Sequence, residues 1–180
     1  MQKSAKTRRR IAVNSGLVAL VTCSLLACAP DPDPTPSPTP AFASEEAAFE
    51  AAEEVYRAYN DALNDARSGA SSKDPSQYLV GQALESDLDA ERYFREQGAT
   101  LTGKTTFTQF EGTSTNSSGE EIEVQAQLCL DVSETHVLDA DGAEVTPKDR
   151  QTRLPLDLTF VGTIDALLIS SSNLVEDDEC

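Results

Sequence analysis

The hydrophobic and polar positions of the chain change period at Gly98. Before Gly98, apolar residues recur at three- and four-residue spacing, which is typical of amphipathic helices. They predict a long helix over residues 44–68 and a second over residues 82–97, joined by a short element that opens at Asp74-Pro75. The expected core positions are Phe49, Ala52, Tyr56, Tyr59, Leu63 and Ala66 in the first helix, and Ala83, Leu84, Leu88, Ala90 and Phe94 in the second.

After Gly98 the apolar positions alternate with a period of two, which is typical of strands with one buried face. Helices first and strands afterwards predict an α+β fold, in which N-terminal helices pack on a curved antiparallel sheet of about four strands. The predicted strands are residues 100–111, 121–138, 153–161 and 163–170, separated by residues 113–119, a turn with Gly142, and Gly162.

The third predicted strand contains a proline. Pro155 has no backbone N–H to donate, so it needs an edge position or a bulge. The apolar residues around it keep the alternation of a strand with a buried face. The expected inward residues are Leu154, Leu156, Leu158 and Phe160.

The head of the chain has a different pattern. Residues 1–10 are polar and basic, and residues 11–27 are mostly apolar but too short and too broken for a membrane span, the layout of a secretory signal peptide. The end of this segment, Leu25-Leu26-Ala27-Cys28, resembles a bacterial lipobox, which implies cleavage before Cys28 and lipidation of its thiol. A plain signal peptide with an incidental cysteine is the alternative. Residues 7–12 also resemble a twin-arginine export signal, so the export route stays open.

A proline alternation follows the cysteine. Every second residue from Pro30 to Pro40 is proline, which predicts an extended polyproline II spacer of about 35 Å. The predicted organisation is therefore a lipoprotein signal peptide at 1–27, a lipidated cysteine and linker at 28–43, and one folded domain at 44–180. This places the domain on the outer face of the cell membrane.

The charge excludes two classes of partner. The chain has 14 Lys and Arg against 31 Asp and Glu, a net charge of −17. Five of the basic residues and none of the acidic ones precede Cys28, so removal of that segment leaves a net charge of −22. Such a domain repels nucleic acid and anionic lipid headgroups. We expect it to contact the membrane only through its lipid.

Two of the four cysteines remain for the folded domain, because Cys23 leaves with the signal and Cys28 carries the lipid. In an oxidising compartment, Cys129 and Cys180 are expected to form a disulfide. Cys129 lies on the polar face of its predicted strand, and Cys180 is the last residue. A metal site is the alternative, but the one histidine of the chain, His136, leaves it without a convincing ligand set.

The order of these elements resembles the nuclear-transport-factor-2-like (SnoaL-like, cystatin-like) superfamily over roughly residues 44–180. The lipobox, the Thr-Pro linker, AAEEVYRAYNDALN, DPSQYLVG and the late cysteine pair are similar to a group of small actinobacterial lipoproteins. The resemblance implies a location on the cell surface and an α+β fold, and it does not indicate an activity. It also implies a pocket between the helices and the sheet, for which Tyr56, Tyr59 and His136 are the candidate residues.

Each candidate also has a simpler interpretation. Tyr56 and Tyr59 lie on a core stripe, where aromatic residues usually pack. His136 is in register with the inward residues of its predicted strand, but register often slips near a turn and no partner is fixed by sequence, so a satisfied or exposed histidine is the better interpretation. Asp139, Asp141 and Glu144 resemble fragments of a calcium loop, although a solvated hairpin turn is the better interpretation. We expect no metal and no cofactor.

These observations predict a cell-surface lipoprotein whose domain binds a small ligand or an envelope protein without catalysis. The alternative is a SnoaL-like isomerase or hydrolase that uses Tyr56, Tyr59 or His136. A purely structural envelope protein is the third hypothesis. Convergence of the three candidate side chains on one cavity would favour the enzyme.

Overall fold

The computed structural model of the chain describes residues 43–70, 73–163, 165–175 and 180. The predicted signal peptide, the lipidation site Cys28 and linker residues 28–42 lie outside these described residues, as do the acidic residues 176–179. In the part of the chain that is described, every helix is too short or too polar to cross a membrane.

The first helix, α1 (Glu45–Ser68), has caps that its sequence predicts. The Ser44 hydroxyl accepts a hydrogen bond from the Ala47 N–H at 3.2 Å, and Gly69 closes the other end in the left-handed conformation. A short 3₁₀ helix, Pro75–Tyr78, leads to the second helix, α2 (Gly81–Gln97). Gly98 ends α2 in the left-handed conformation, so its predicted role as the C-terminal cap is confirmed.

Six strands follow the helices and form two antiparallel sheets, so the predicted α+β fold is confirmed. The strands are β1 (Thr100–Gly103), β2 (Thr106–Ser118), β3 (Glu121–Asp131), β4 (Thr135–Leu138), β5 (Arg153–Thr163) and β6 (Ala166–Leu174). The larger sheet has the strand order β2-β3-β5-β6, and the smaller one pairs β1 with β4. The helices pack on one face of the larger sheet, α1 against β2, β3 and β6, and α2 mainly against β6.

Two predicted strands were wrong in their extent, because each is divided. The predicted strand 100–111 breaks at Thr105, which hydrogen-bonds to α1, and the predicted strand 121–138 breaks at a turn in which the Thr135 N–H donates to the Val132 carbonyl. The detached pieces, β1 and β4, pair with each other.

The predicted strand ends also differ from the structure. Residues 113–118, expected to separate two strands, pair with β3 and belong to β2. The Gly162 break is wrong too, since β5 continues to Thr163. Threonine suits a strand, and a polar run on a sheet edge needs no buried face.

The core lies between α1 and the inner face of the larger sheet. The alternation of β3 is confirmed, since Val124, Ala126 and Leu128 are buried while Gln125 and Gln127 are exposed. The predicted inward face of β5 is also confirmed. α1 contributes Ala48, Ala52 and Tyr56, and the sheet contributes Ile122, Val124, Ala126, Leu128, Leu156, Leu158, Phe160, Leu167 and Ile169.

The expected core faces of the helices need correction. On α2 only Ala83 is buried, whereas Leu88 is 48% exposed and Ala90 is exposed. On α1 Ala66 is exposed and Asn60 is buried. The period of a sequence shows that a helix has an apolar face, but the neighbouring elements decide how much of that face is covered.

Pro155 lies in an interior strand, opposite Cys129 of β3. Its carbonyl accepts from the Val175 N–H at 3.0 Å, just past the end of β6. Because the N–H and C=O of a residue in an antiparallel strand point to the same side, the missing N–H of Pro155 faces the end of β6. At Pro155 the neighbouring strand β6 has already ended, so the proline needs no N–H to pair with it and behaves as a residue of an edge strand.

The predicted disulfide between Cys129 and Cys180 is confirmed, with the two Cα atoms 5.5 Å apart. Cys129 lies on the outer face of the sheet as its strand pattern predicts, yet it is buried. The bridge therefore fastens the C-terminal residue to the middle of the sheet.

Candidate functional site

The structure separates the three predicted pocket residues. Tyr56 and Tyr59 lie on α1, whereas His136 lies on β4 of the smaller sheet, opposite Thr102. The His136 side chain is 47% exposed, and its Nδ1 lies 2.7 Å from Glu144 Oε1. The interpretation of His136 as an exposed, partnered histidine is confirmed, because β4 leaves the larger sheet at the turn after Asp131 and pairs with β1.

The two tyrosines pack as core residues, as the core interpretation predicted. The Tyr56 ring meets Phe107 edge-on with centroids 5.0 Å apart, and Tyr59 at 5.9 Å. Tyr56 is only 3% exposed, and its hydroxyl has no hydrogen-bond partner among the described residues. Every described side-chain N or O atom that is fully buried has a hydrogen-bond partner, so the Tyr56 oxygen keeps some access to the surface and can bond a group outside the protein.

Charged side chains lie close to these two hydroxyls. Arg67 of α1 interacts electrostatically with both tyrosines, and Asp87 of α2 interacts with Tyr59 and Arg67. Tyr59, Arg67 and Asp87 are half-buried. We call Tyr56, Tyr59, Arg67 and Asp87 the tyrosine–arginine cluster.

Burial controls protonation in this cluster. Desolvation of the phenolate raises the pKa of Tyr56 far above its ordinary value, and burial together with the negative charge of Asp87 raises the pKa of Tyr59 to about 12. Burial also raises the pKa of Asp87, with contributions from Glu91 and Asp74. It lowers the pKa of Arg67, while the nearby acidic groups oppose that change. Both tyrosines are thus neutral hydrogen-bond donors at neutral pH.

A hydrogen-bonded group continues from the cluster along the same side of α1. The Asn64 amide donates to the Thr105 carbonyl at 2.8 Å and accepts from the Thr105 N–H at 2.9 Å. Asn60 donates to the same carbonyl at 3.1 Å and accepts from the Thr105 hydroxyl at 2.6 Å. Arg67 reaches that hydroxyl at 3.5 Å. These bonds hold the segment between β1 and β2 against α1.

The sequence contained a signal for these residues that its analysis missed. Asn60, Asn64 and Arg67 follow Tyr56 at steps of four, four and three, the spacing of one helix face. Polar residues that continue an apolar stripe at this spacing indicate a buried polar contact. The spacing of apolar residues alone does not reveal this polar contact.

The suspected calcium loop is a hairpin turn. Asp139 Oδ1 accepts the N–H groups of Asp141 and Ala143 at 3.0 and 2.9 Å, and Glu144 pairs with His136. No group of three or more His, Cys, Asp or Glu side chains arranged to hold a metal ion occurs among the residues that the structure describes.

Three depressions of the described surface lie outside the tyrosine–arginine cluster. One, of about 180 Å³, lies beside Cys129 and Pro155 on the outer face of the sheet. A second, of about 410 Å³, lies at the β2–β3 hairpin near Glu121 and Glu123. The third, of about 280 Å³, lies between α1, the 3₁₀ helix and the β5–β6 turn. Tyr56, Tyr59 and His136 line none of these three.

Comparison with known proteins adds little to this α+β domain. No protein-family model matches the chain, and no curated protein matches it. Among solved structures, it is similar to the crystal structure of the intermembrane space region of the chloroplast protein ARC6, with 15% sequence identity and a TM-score of 0.46. The match covers 71% of this chain and 95% of that one.

Proposed function

We propose that the protein is a lipid-anchored binding module of the cell envelope. In this proposal Cys28 carries the lipid, the proline-rich linker holds the domain off the outer face of the membrane, and the domain binds a ligand or an envelope protein without catalysis. The observation that carries the non-catalytic part is the separation of the three candidate catalytic residues: His136 pairs with Glu144 on the smaller sheet, away from the packed tyrosines.

Protonation supports the same conclusion. A general base works best when its pKa lies near the working pH. Burial raises the pKa of both Tyr56 and Tyr59 away from neutrality, so neither removes a proton readily at neutral pH. A SnoaL-like isomerase or hydrolase built on these tyrosines would therefore lack its base.

The anchor is tested by the intact mass of the protein from its native membranes, measured with and without thiol reduction. We expect a chain that begins at Cys28 and carries a diacylglyceryl thioether. Reduction should add two hydrogens, because Cys129 and Cys180 are bridged. An unmodified chain with a different N-terminus would remove the anchor from the proposal.

The unpartnered Tyr56 hydroxyl favours a second candidate, a small polar ligand bound at the tyrosine–arginine cluster. Two neutral phenols and a guanidinium suit an acceptor such as a carboxylate, and Asp87 suits a donor on the same ligand. A thermal-shift screen of small carboxylates and zwitterions against the mature protein tests this.

Matched variants locate any hit of that screen. Tyr59→Phe should reduce the ligand-induced shift, since it removes a donor and leaves the ring. Tyr93→Phe, at a residue that is 61% exposed on α2, should leave the shift unchanged. A screen without a stabilising compound, or equal losses in both variants, would count against the ligand site.

A further inference from the structure

The depression of about 280 Å³ next to α1 is an apolar groove with an acidic rim. It is lined by small and medium apolar side chains and by Tyr78 of the 3₁₀ helix, and its rim carries Glu54 of α1 and Asp165 of the β5–β6 turn. We call it the α1 groove. The apolar residues of its floor are Ala51, Val55, Ala58 and Leu167.

The carboxylates of this rim have no partner among the residues that the structure describes. Glu54 and Asp165 are exposed, neither has a hydrogen bond or an ion pair within the described part of the chain, and no basic residue lines the groove. The nearest cation on α1, Arg57, is engaged with Glu53 at 2.5 Å and lies over the Phe107 ring at 5.2 Å.

The negative charge continues along the helix. Glu50, Glu54, Asp61 and Asp65 are all exposed and follow one another at steps of four, seven and four, so they lie on one face of α1. We call these four residues the acidic stripe. At 1.5 Å per residue the stripe is about 22 Å long, and the α1 groove opens beside it.

We propose that the α1 groove and the acidic stripe dock a lysine-bearing segment of a partner protein, an inference that rests on the proposed binding function and specifies the chemistry of the partner. The lysine stem packs on the apolar floor, and its ammonium group lies between the carboxylates of Glu54 and Asp165. A lysine combines these two properties, a long apolar stem and a compact charge. The groove, of about 280 Å³, lies at the lower limit of the roughly 300–1,000 Å³ of sites for drug-sized ligands, so it suits a small group such as one side chain.

The stripe favours a protein segment over a free amine. A single exposed ammonium–carboxylate pair contributes little in water, so one small cation would bind weakly. A segment with several basic residues meets several carboxylates of the stripe at once, and its association is accelerated by the negative potential. The occupant is therefore a basic segment of a protein, with one lysine in the groove.

The test uses the mature lipidated protein in vesicles of neutral phosphatidylcholine and a fluorescent peptide of alternating lysine and alanine, at physiological salt. Glu54→Gln with Asp165→Asn should weaken binding about tenfold. The control pair Glu85→Gln with Glu96→Gln removes the same charge from exposed positions of α2 and should leave affinity within about twofold of the original. All four positions are exposed, so circular dichroism should show the same fold in both variants.

A second peptide tests the apolar floor. Replacing each lysine with 2,4-diaminobutyric acid keeps the charge and shortens the stem, and should weaken binding. Equal binding of both peptides, or equal losses in the two charge variants, would overturn the inference in favour of general electrostatic attraction. Competition by spermidine at the affinity of the lysine peptide would overturn it in favour of a free amine.

The absence of peptide binding would also overturn the inference. That result would leave the proposed function standing if the mass of Cys28 shows the anchor and a ligand stabilises the domain through the tyrosine–arginine cluster. Failure of both of those measurements, with peptide binding intact, would instead remove the anchor and the small-ligand site.

Discussion

Asn60 lies 6% exposed on α1, and both functional groups of its side chain are used. The amide N–H bonds the Thr105 carbonyl, and the amide oxygen accepts from the Thr105 hydroxyl. Such a buried polar contact favours one position of the chain between β1 and β2, because this placement satisfies both residues.

Asn60→Ala should lower the free energy of unfolding by about 2 kcal/mol, because it removes two buried hydrogen bonds to Thr105. Urea unfolding measures this loss. Asn116→Ala, at an exposed position near the end of β2, should cost less than about 0.5 kcal/mol. Equal midpoints for the two variants would show that the Asn60 contacts add no stability.

The contact of His136 with Glu144 predicts a pH dependence. The hydrogen bond with His136, and then the one with Thr146, lowers the pKa of Glu144 below its ordinary value of 4.5. A carboxyl with a lowered pKa stabilises the fold above its unfolded pKa, and this contribution disappears as the pH falls through the folded pKa. The contribution should therefore be lost below about pH 4.5.

Carboxyl-carbon NMR titration follows Glu144 directly. His136→Ala should move its midpoint upward, and Lys148→Ala should leave it unchanged. A midpoint that is the same in the original protein and in His136→Ala would show that the pair does not act on Glu144.

At the scale of the elements, the periodicity of apolar residues and the capping residues predicted both helices, and the alternation predicted the inward faces of the central strands. The divisions were not predictable, because the alternation runs through Thr105 and Val132 without interruption. Asparagines of α1, distant in sequence, separate β1 from β2. The exposure of Leu88 was not predictable either, since no local signal in the sequence shows that α2 lies mainly against β6.

The same limit applies to the candidate site. The two tyrosines were found because their spacing is regular, and their packed state was predicted. His136 follows the register of the inward residues in the sequence, but a turn resets the alternation of a strand, and its side chain is exposed as the simpler interpretation predicted. Asp87 carries no signal in its own helix, so only the structure connects it with Arg67 and Tyr59.

Close approach between α1 and β2 predicts a coupled pair of substitutions. A Cβ atom at Gly112 would overlap the Phe49 ring, so Gly112→Ala should lower the free energy of unfolding by roughly 1–3 kcal/mol. In a Phe49→Ala background the same change should cost clearly less, because the space is then free. A double-mutant cycle by urea unfolding measures the coupling, and strict additivity of the two substitutions would contradict this packing.

The disulfide predicts a larger effect. It closes a loop over a sequence separation of 51, which corresponds to about 4 kcal/mol of stability in the chain-entropy description. The double variant Cys129→Ala with Cys180→Ala should unfold at lower urea than the oxidised protein and close to the reduced one. The same midpoint for oxidised and reduced protein would show that the bridge adds nothing.

At the scale of the whole molecule, charge opposes compactness. Within the described residues the ion pairs are few and exposed, and the chain has a net charge of −17. Self-repulsion of such a surface destabilises the folded state, and salt screens it over a distance of about 10 Å at 0.1 M.

Raising sodium chloride from low to physiological concentration should therefore raise the melting temperature of the protein. Calorimetry at neutral pH measures the change. The Glu85→Gln, Glu96→Gln variant should show a smaller rise, since it carries less charge. A melting temperature that falls with salt would mean that favourable ion pairs dominate.

The contact of α1 with β6 joins the start of the domain to its end, and the parallel bridge between Leu79 and Ile169 does the same at the sheet edge. Contacts between distant parts of a chain form slowly, because a long loop must close before they form. A nascent chain therefore cannot complete the burial of α1 until β6 has been synthesised. We therefore expect this domain to complete its folding only once the chain is nearly complete, and a truncation before Ile169 should remove the contacts of α1 with β6 while leaving those with β2 and β3.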